Sequence, residues 1–153
     1  MSHVRIPFDK APEAREALRG LEQYIARSGL PRPLVELVKL RVSTLNGCAF
    51  CVDRHWRALR EAGESEQRLY GLSAWREQQG YSPRERAALA WAESVTAVAA
   101  TGVPDAEYAA VSAQFSEKEV IDLTYAIVAI NGWNRLCVAL RIAPEHELEA
   151  RNA

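Results

Sequence analysis

The sequence lacks the features that would point to a membrane, a nucleic acid or an export route. Its formal net charge is −1 over 153 residues, so electrostatics do not favour binding to nucleic acid or to an anionic membrane. No apolar run approaches the roughly 20 residues of a membrane-spanning helix. The first twenty residues, MSHVRIPFDKAPEAREALRG, lack the basic and then apolar pattern of a signal peptide. These absences predict a cytoplasmic protein.

Internal repeats, low-complexity tracts and linkers are also absent, which predicts a single domain over residues 1–153. Residues 1–10 precede the first helical pattern and are expected to form an extended N-terminal arm. Almost every later segment shows apolar residues at helical spacing. The predicted fold is therefore an all-α bundle of about six to seven helices. Two of these helices begin with capping boxes, formed by Ser82 with Glu85 and by Ser116 with Glu119.

The last predicted helix is apolar on more than one side, from Val120 through Leu140. A helix that is apolar nearly all round has to be covered all round. In a domain of this size we expect a second subunit to supply part of the cover, which predicts a homo-oligomer. A central helix inside a monomer is the alternative.

Cysteine is scarce, and two of the three cysteines stand three residues apart in NGCAFCVDRH, residues 46–55. Cytoplasmic thiols stay mostly reduced, so such a pair is more often catalytic, redox-active or metal-binding than structural. Gly47 follows a predicted helix end, which places Cys48 at or near the start of the next helix. Unpaired N–H groups and the helix dipole at that position stabilise a thiolate and lower the cysteine pKa.

A histidine and a carboxylate are predicted to join the cysteines. His55 lies four residues after Cys51 and on the same helical face. If residues 46–47 reverse the chain into an antiparallel helix pair, Glu36 lies level with His55 along that pair. A carboxylate beside a histidine orients the ring and raises its basicity. The spacing therefore predicts a base-assisted thiol at Cys51, with Cys48 positioned to resolve it.

Other interpretations of the same residues remain open. The two cysteines could be small buried hydrophobic residues, and Glu36 could pair with Lys39 or Arg41. Zinc could bind the two cysteines and the histidine with Glu36 as a fourth ligand. A thioredoxin fold is disfavoured, since a helix and not a strand precedes the motif. Cys137, in the last apolar helix, is interpreted as a core residue.

The pattern of Glu36, eleven residues, Cys48-x-x-Cys51-x-x-x-His55 resembles the alkyl hydroperoxidase D-like branch of the carboxymuconolactone decarboxylase superfamily. Residues 37–77 and the segment AINGWNRLCVALR resemble that branch's core segment and closing helix, so the resemblance covers roughly residues 20–145. It implies an all-α fold that assembles as trimers or hexamers. It also implies an antioxidant activity that reduces small hydroperoxides through the dithiol.

The resemblance also implies a role for each residue of the motif. Cys51 matches the peroxidatic cysteine, Cys48 the resolving cysteine, His55 the proton acceptor and Glu36 its carboxylate partner. Phe50 is a departure, because the well-studied peroxidases carry a second histidine between the cysteines. The chemistry implied needs no metal, flavin or haem. An external dithiol would reduce the disulfide, and family members can draw electrons from lipoyl groups.

Two other functions remain as alternatives. The first is a carboxymuconolactone decarboxylase-like lyase, which works by proton transfer and does not need the cysteine pair. A lactone substrate would require cationic groups in the pocket to hold its carboxylates, and the sequence alone assigns none. The second is a non-enzymatic dithiol redox sensor, which would form the same disulfide but turn over poorly.

Overall fold

A computed structural model describes residues 4–144 and contains helices and turns but no strand within that range. The prediction of an all-α bundle is confirmed. Eight α-helices are present in the described range, one more than the six to seven expected, because the helix that begins at the Ser82 capping box ends at Thr96 and a separate short helix follows it. The bounds are α1 Pro12–Ala26, α2 Arg32–Leu45, α3 Ala49–Glu61, α4 Glu66–Gly71, α5 Pro83–Thr96, α6 Val98–Thr101, α7 Asp105–Ser112 and α8 Glu117–Leu140.

Both predicted capping boxes are formed. The Ser82 hydroxyl accepts the Glu85 backbone N–H, and the Glu85 carboxylate accepts the Ser82 backbone N–H. Ser116 and Glu119 make the same reciprocal pair at the start of α8. These local bonds satisfy N–H groups that would otherwise lack partners at each helix start. The Ser-x-x-Glu pattern therefore predicts the helix start correctly at both positions.

Helix α2 is the centre of the bundle and packs against α3, α5 and α8. Its buried side chains include Val38 and Val42, which share one apolar core with Ile127 and Ile130 of α8. Burial of such side chains contributes about 1.5–3 kcal/mol each. Because α2 and α8 bury these residues against each other, the chain that precedes the Cys-x-x-Cys segment is held at a fixed position.

Helix α8 keeps apolar side chains at the surface as well as in the core. Five apolar residues of α8 are between 40% and 55% exposed, namely Ile121, Tyr125, Val128, Leu136 and Val138. The length and hydropathy of α8 would suit a membrane span. The core helix of a soluble protein meets the same criteria, and α8 packs against α1, α2 and α5.

The predicted N-terminal arm is partly described. Residues 1–3 and 145–153 lie outside the described residues. Within the arm, Phe8–Lys10 form a single 3₁₀ turn, which departs from an extended conformation. The Arg5 backbone N–H donates to the Leu140 carbonyl at 2.9 Å, and the Phe8 ring packs edge-on against Trp133 with centroids 6.0 Å apart. The arm therefore runs along the last helix.

Candidate functional site

The α2–α3 turn places the Cys-x-x-Cys segment against α8. Gly47 adopts a left-handed conformation with φ of +66°, which glycine adopts without strain. Cys48 is the N-cap residue of α3, as the spacing predicts. The Asn46 side chain donates to the side-chain oxygens of Asn131 and Asn134 at 3.0 and 2.9 Å. These two bonds tie the turn to the last helix.

Three cysteines meet at this turn. The Sγ atoms of Cys48, Cys51 and Cys137 all lie within 4.8 Å of one another. All three are free thiols and each is at most 2% exposed. The Cys51 backbone N–H also donates to the Cys48 sulfur at 3.4 Å. The interpretation of Cys137 as only a core residue is therefore incomplete, because it is buried but borders the dithiol.

The charges on the three sulfurs are coupled. The pKa of the Cys48 thiol is lowered, because hydrogen bonds from the Cys137 and Cys51 thiols and from the Cys51 backbone N–H outweigh its burial. For Cys51, the Cys137 thiol lowers the pKa, but Cys48 and burial raise it more, so its pKa is raised overall. The pKa of Cys137 is raised by both neighbours and by burial. The thiolate is therefore favoured on Cys48.

The predicted carboxylate–histidine pair is present. Glu36 Oε2 lies 2.7 Å from His55 Nδ1, which confirms that the two helices are antiparallel and level at this point. The ion pairs considered as alternatives for Glu36 are not formed. Lys39 donates to Glu22 instead, and Arg41 Nε donates to Glu93 at 2.7 Å. The position of Glu36 is therefore set by the histidine.

The Glu36 carboxyl is ionised at neutral pH. Burial alone would raise its pKa, but the hydrogen bond and the charge of His55, with smaller effects from Lys39 and Arg32, outweigh burial. The pKa of Glu36 is consequently lowered overall. An ionised Glu36 accepts the Nδ1–H of His55, which leaves Nε2 as the ring atom available for proton transfer.

A cavity of about 570 Å³ joins these groups. Its wall includes Cys51, Cys137, His55 and Glu36, whereas Cys48 does not line it. Within the described part of the chain, no hydrogen bond joins the His55 ring to the Cys51 sulfur. A proton moving from Cys51 to His55 would therefore need either a closer approach of the two side chains or a bridging water molecule. Four large apolar side chains complete the wall, namely Phe8, Phe50, Ile130 and Trp133.

The cavity is cationic, a property that the sequence alone does not reveal. Six cationic residues line it, namely Arg15, Arg19, Arg32, Lys39, Arg54 and Arg57, against three acidic residues, Glu22, Glu36 and Glu61. They come from α1, α2 and α3 and are scattered in the sequence, so only the fold brings them together. The expectation that no cationic groups can be assigned to a pocket is therefore corrected.

The zinc interpretation loses two of its four predicted ligands. In residues 4–144, the group of potential ligands found at this position consists of the three cysteines, and neither Glu36 nor His55 belongs to it. The two halves of the predicted constellation are thus separate: a sulfur cluster under α8, and a carboxylate–histidine pair between α2 and α3. Cys137 and Asn134 were missed by the spacing argument. A polar residue and a cysteine three apart in an apolar helix are the signal that could have found them.

Comparison with known proteins identifies the family. Residues 12–94 match the carboxymuconolactone decarboxylase family, and the chain belongs to that family. It is 42% identical over 133 residues to the uncharacterized protein YdfG of Bacillus subtilis, a match that covers 87% of this chain and 90% of YdfG. The predicted resemblance to the alkyl hydroperoxidase D-like branch is confirmed.

Solved structures share the fold. A protein of unknown function from Agrobacterium tumefaciens, ATU0492, provisionally assigned to antioxidant defence as AhpD, is 45% identical with a TM-score of 0.90, over 93% of this chain and 98% of that one. The debrominase Bmp8 has a TM-score of 0.80 at 21% identity over 90% of this chain and 74% of that one, a likeness of fold alone. The alkyl hydroperoxide reductase AhpD of a Bradyrhizobium strain is 49% identical over 41 residues, which are 27% of this chain and 23% of AhpD.

Proposed function

We propose that the protein is a cytoplasmic, thiol-dependent peroxidase that reduces small hydroperoxides with the Cys48–Cys51 dithiol. The observation that carries the proposal is the meeting of two chemical elements at one cavity. Cys51, one member of the buried dithiol, lines the cavity, and the Glu36–His55 pair lines the same cavity with a 2.7 Å contact between its two members. A thiol and an oriented general base are the two groups that peroxide reduction requires.

In the first step, Cys51 attacks the distal oxygen of the hydroperoxide. The O–O bond breaks, an S–O bond forms, and Cys51 becomes a sulfenic acid while the alcohol leaves. The raised pKa of Cys51 means that its proton has to be removed as the attack proceeds. His55 accepts this proton through a water molecule and returns it to the departing alkoxide, while Glu36 holds the ring in place.

In the second step, Cys48 attacks the sulfenic sulfur. A disulfide forms and water leaves, so two thiols and one hydroperoxide yield one disulfide, one alcohol and one water. The lowered pKa of Cys48 supports this role, because the thiolate is the attacking form in such exchange. An external dithiol, such as a lipoylated protein, then reduces the disulfide. No metal, flavin or haem takes part.

Cys137 is a second thiol that can resolve an oxidised Cys51. Its sulfur lies within 4.8 Å of the Cys51 sulfur, and it lines the cavity with Cys51. It can therefore reach a Cys51 sulfenic acid when Cys48 is missing. Phe50 lines the cavity as well, where it adds apolar surface in place of a second proton-transfer group.

We also propose that the protein is a homo-oligomer, a trimer or hexamer, that covers the exposed apolar face of α8. The exposed Ile121, Tyr125 and Val128 recur at a spacing of four and then three residues, so they form one stripe on the helix. Contiguous exposed apolar surface of this kind is typical of subunit interfaces. Sedimentation of the purified chain tests this proposal, and a monomer at all concentrations would contradict it.

The test of the proposed activity is steady-state turnover of an organic hydroperoxide with a dithiol as the electron donor. We expect repeated turnover, with one alcohol formed for each donor dithiol oxidised. A single turnover followed by an oxidised protein that the donor does not reduce would favour the non-enzymatic redox sensor. No oxidation of the protein at all would reject both thiol functions.

A second candidate is the decarboxylase-like lyase, and the cationic cavity is the observation that favours it. Six cationic side chains against three acidic ones could hold the carboxylates of a lactone. In that reaction the cysteines have no role. A variant in which all three cysteines are replaced by serine would keep full lyase activity, whereas it would lose peroxidase activity completely.

A further inference from the structure

The sulfur cluster contains one more cysteine than the proposed reaction uses. Cys48 is the N-cap of α3 and Cys51 lies in the first turn of the same helix, whereas Cys137 comes from α8 and is brought to them only by the fold. The three Sγ atoms nevertheless lie within 4.8 Å of one another, and all are buried free thiols. Two sulfurs suffice for a disulfide cycle. The third sulfur at the same point therefore needs a separate explanation.

The donor set limits what could bind there. In residues 4–144, no histidine or carboxylate completes the group of three sulfurs. Zinc in structural sites takes four ligands, so the cluster is one short. Three thiolates around Cu⁺ or Zn²⁺ would also leave a net negative charge, which is costly to bury in an apolar environment. A ligand that takes three thiols and ends uncharged fits this site better.

We propose that the three cysteines bind a trivalent, thiophilic oxyacid, of which arsenous acid is the test case. Arsenous acid is uncharged near neutral pH. Three As–S bonds form as three As–O bonds break, the three thiol protons leave with the hydroxyl groups as three water molecules, and arsenic remains trivalent throughout. The product is uncharged and three-coordinate, so it needs neither a fourth ligand nor a counter-ion.

The surroundings of the cluster suit this chemistry. Cys51 and Cys137 both line the cavity of about 570 Å³, which gives a small uncharged molecule access to two of the three sulfurs. Cys48 does not line the cavity, but its sulfur lies within 4.8 Å of the other two and supplies the third bond to arsenic. Each cysteine side chain turns about a single χ1 bond, so small rotations draw the sulfurs together around one atom. The Asn46–Asn134 hydrogen bond holds the two parts of the chain that carry the sulfurs.

This inference rests on the sulfur geometry and is independent of the proposed peroxidase. Bound arsenic would occupy both redox cysteines, so the reduced protein would be inhibited. Binding is therefore measured directly, on protein reduced with a phosphine and without added thiol. If arsenite binds but no hydroperoxide is reduced, only the proposed function fails. If hydroperoxide is reduced but arsenite does not bind, only this inference fails.

The experiment titrates the wild-type protein and the Cys137→Ser variant with arsenite and counts the remaining thiols. We expect one arsenic to consume all three thiols of the wild type, with a mass gain of one arsenic atom less three hydrogens. The variant should retain one As–OH group and bind arsenite at least about tenfold more weakly. Phenylarsine oxide, which bonds to two thiols only, is the matched control and should bind both proteins equally.

X-ray absorption of the arsenic bound to the wild-type protein gives a result that does not depend on any variant. Three sulfur neighbours at arsenic support the proposal. Two sulfurs and one oxygen overturn it, as does consumption of only two thiols per arsenic. Equal arsenite affinity of the wild type and Cys137→Ser, with phenylarsine oxide binding intact, would also overturn it.

Discussion

The α2–α3 hairpin and helix α8 contribute to the same cavity in different ways. The hairpin carries Glu36, Cys48, Cys51 and His55 within twenty residues of sequence, and a single turn brings them together. Helix α8 follows about eighty residues later in the sequence. It places Cys137 beside the two hairpin sulfurs and Asn134 against the Asn46 side chain. The hairpin thus supplies the reactive groups, and α8 supplies their environment. The difference implies that changes in the hairpin should lower the rate of peroxide reduction most, whereas changes in α8 should alter which sulfur product forms.

The largest effect is expected for Cys51→Ser in the hairpin. Serine cannot form a sulfenic acid, so peroxide consumption should fall to the uncatalysed rate. The measurement is the initial rate of hydroperoxide loss with a dithiol donor. Ser112→Ala is the control for effects of mutagenesis and purification. Ser112 ends α7 and does not line the cavity, so this variant should keep wild-type activity. Full activity of Cys51→Ser would show that the attacking group is assigned wrongly.

A smaller effect is expected for Glu36→Gln. The amide cannot stabilise a protonated His55 as a carboxylate does, so we expect kcat/KM to fall about 10- to 100-fold, within the range of general-base contributions. Glu22→Gln is a matched control, because Glu22 also lines the cavity but pairs with Lys39. Equal losses in the two variants would mean that charge in the cavity matters and that the Glu36–His55 pair does not.

Cys48→Ser separates the contributions of the hairpin and α8. Since Cys137 lies within 4.8 Å of Cys51, we expect peroxide-treated Cys48→Ser to contain a Cys51–Cys137 disulfide. A sulfenic acid that reacts with dimedone should accumulate only when Cys137 is also replaced by serine. Peptide mapping by mass spectrometry distinguishes these products. A stable sulfenic acid in the single variant would show that Cys137 does not reach Cys51.

The Glu36–His55 pair should also make stability depend on pH. The pKa of Glu36 is lower in the folded protein than the ordinary value of 4.5, so its contribution is fully present above that ordinary value. As the pH falls through the lowered folded pKa, the contribution is lost, because Glu36 is then protonated in both states. Urea unfolding of wild type and Glu36→Gln should therefore differ most at neutral pH and converge in acid. A constant difference across this range would contradict the assignment.

The smallest effect is expected for Asn46→Ala, which removes the bonds between the turn and α8. Two side-chain hydrogen bonds are lost, and we expect a decrease of about 1–2 kcal/mol in the free energy of unfolding. Peroxidase activity should change less than in Glu36→Gln, since no reacting group is removed. Chemical denaturation and the rate assay check both statements. A loss of activity as large as that of Cys51→Ser would mean that α8 determines the chemistry directly.

The same contrast explains what the sequence could predict. Helix periodicity and capping boxes are local signals, so the all-α fold and the starts of α5 and α8 follow from the sequence. The level pairing of Glu36 with His55 also follows, because one short turn fixes the register of two helices. Cys137 and the cationic residues of the cavity depend on packing between distant segments. No spacing rule covers such contacts, which is why they emerge only from the three-dimensional structure.

The most direct test of the proposed dithiol chemistry is a thiol count on fully reduced, metal-free protein before and after one equivalent of an organic hydroperoxide. The proposal predicts that two of the three thiols disappear and that mass spectrometry finds Cys48 linked to Cys51. Three thiols surviving unchanged would contradict it and would leave the lyase as the remaining candidate.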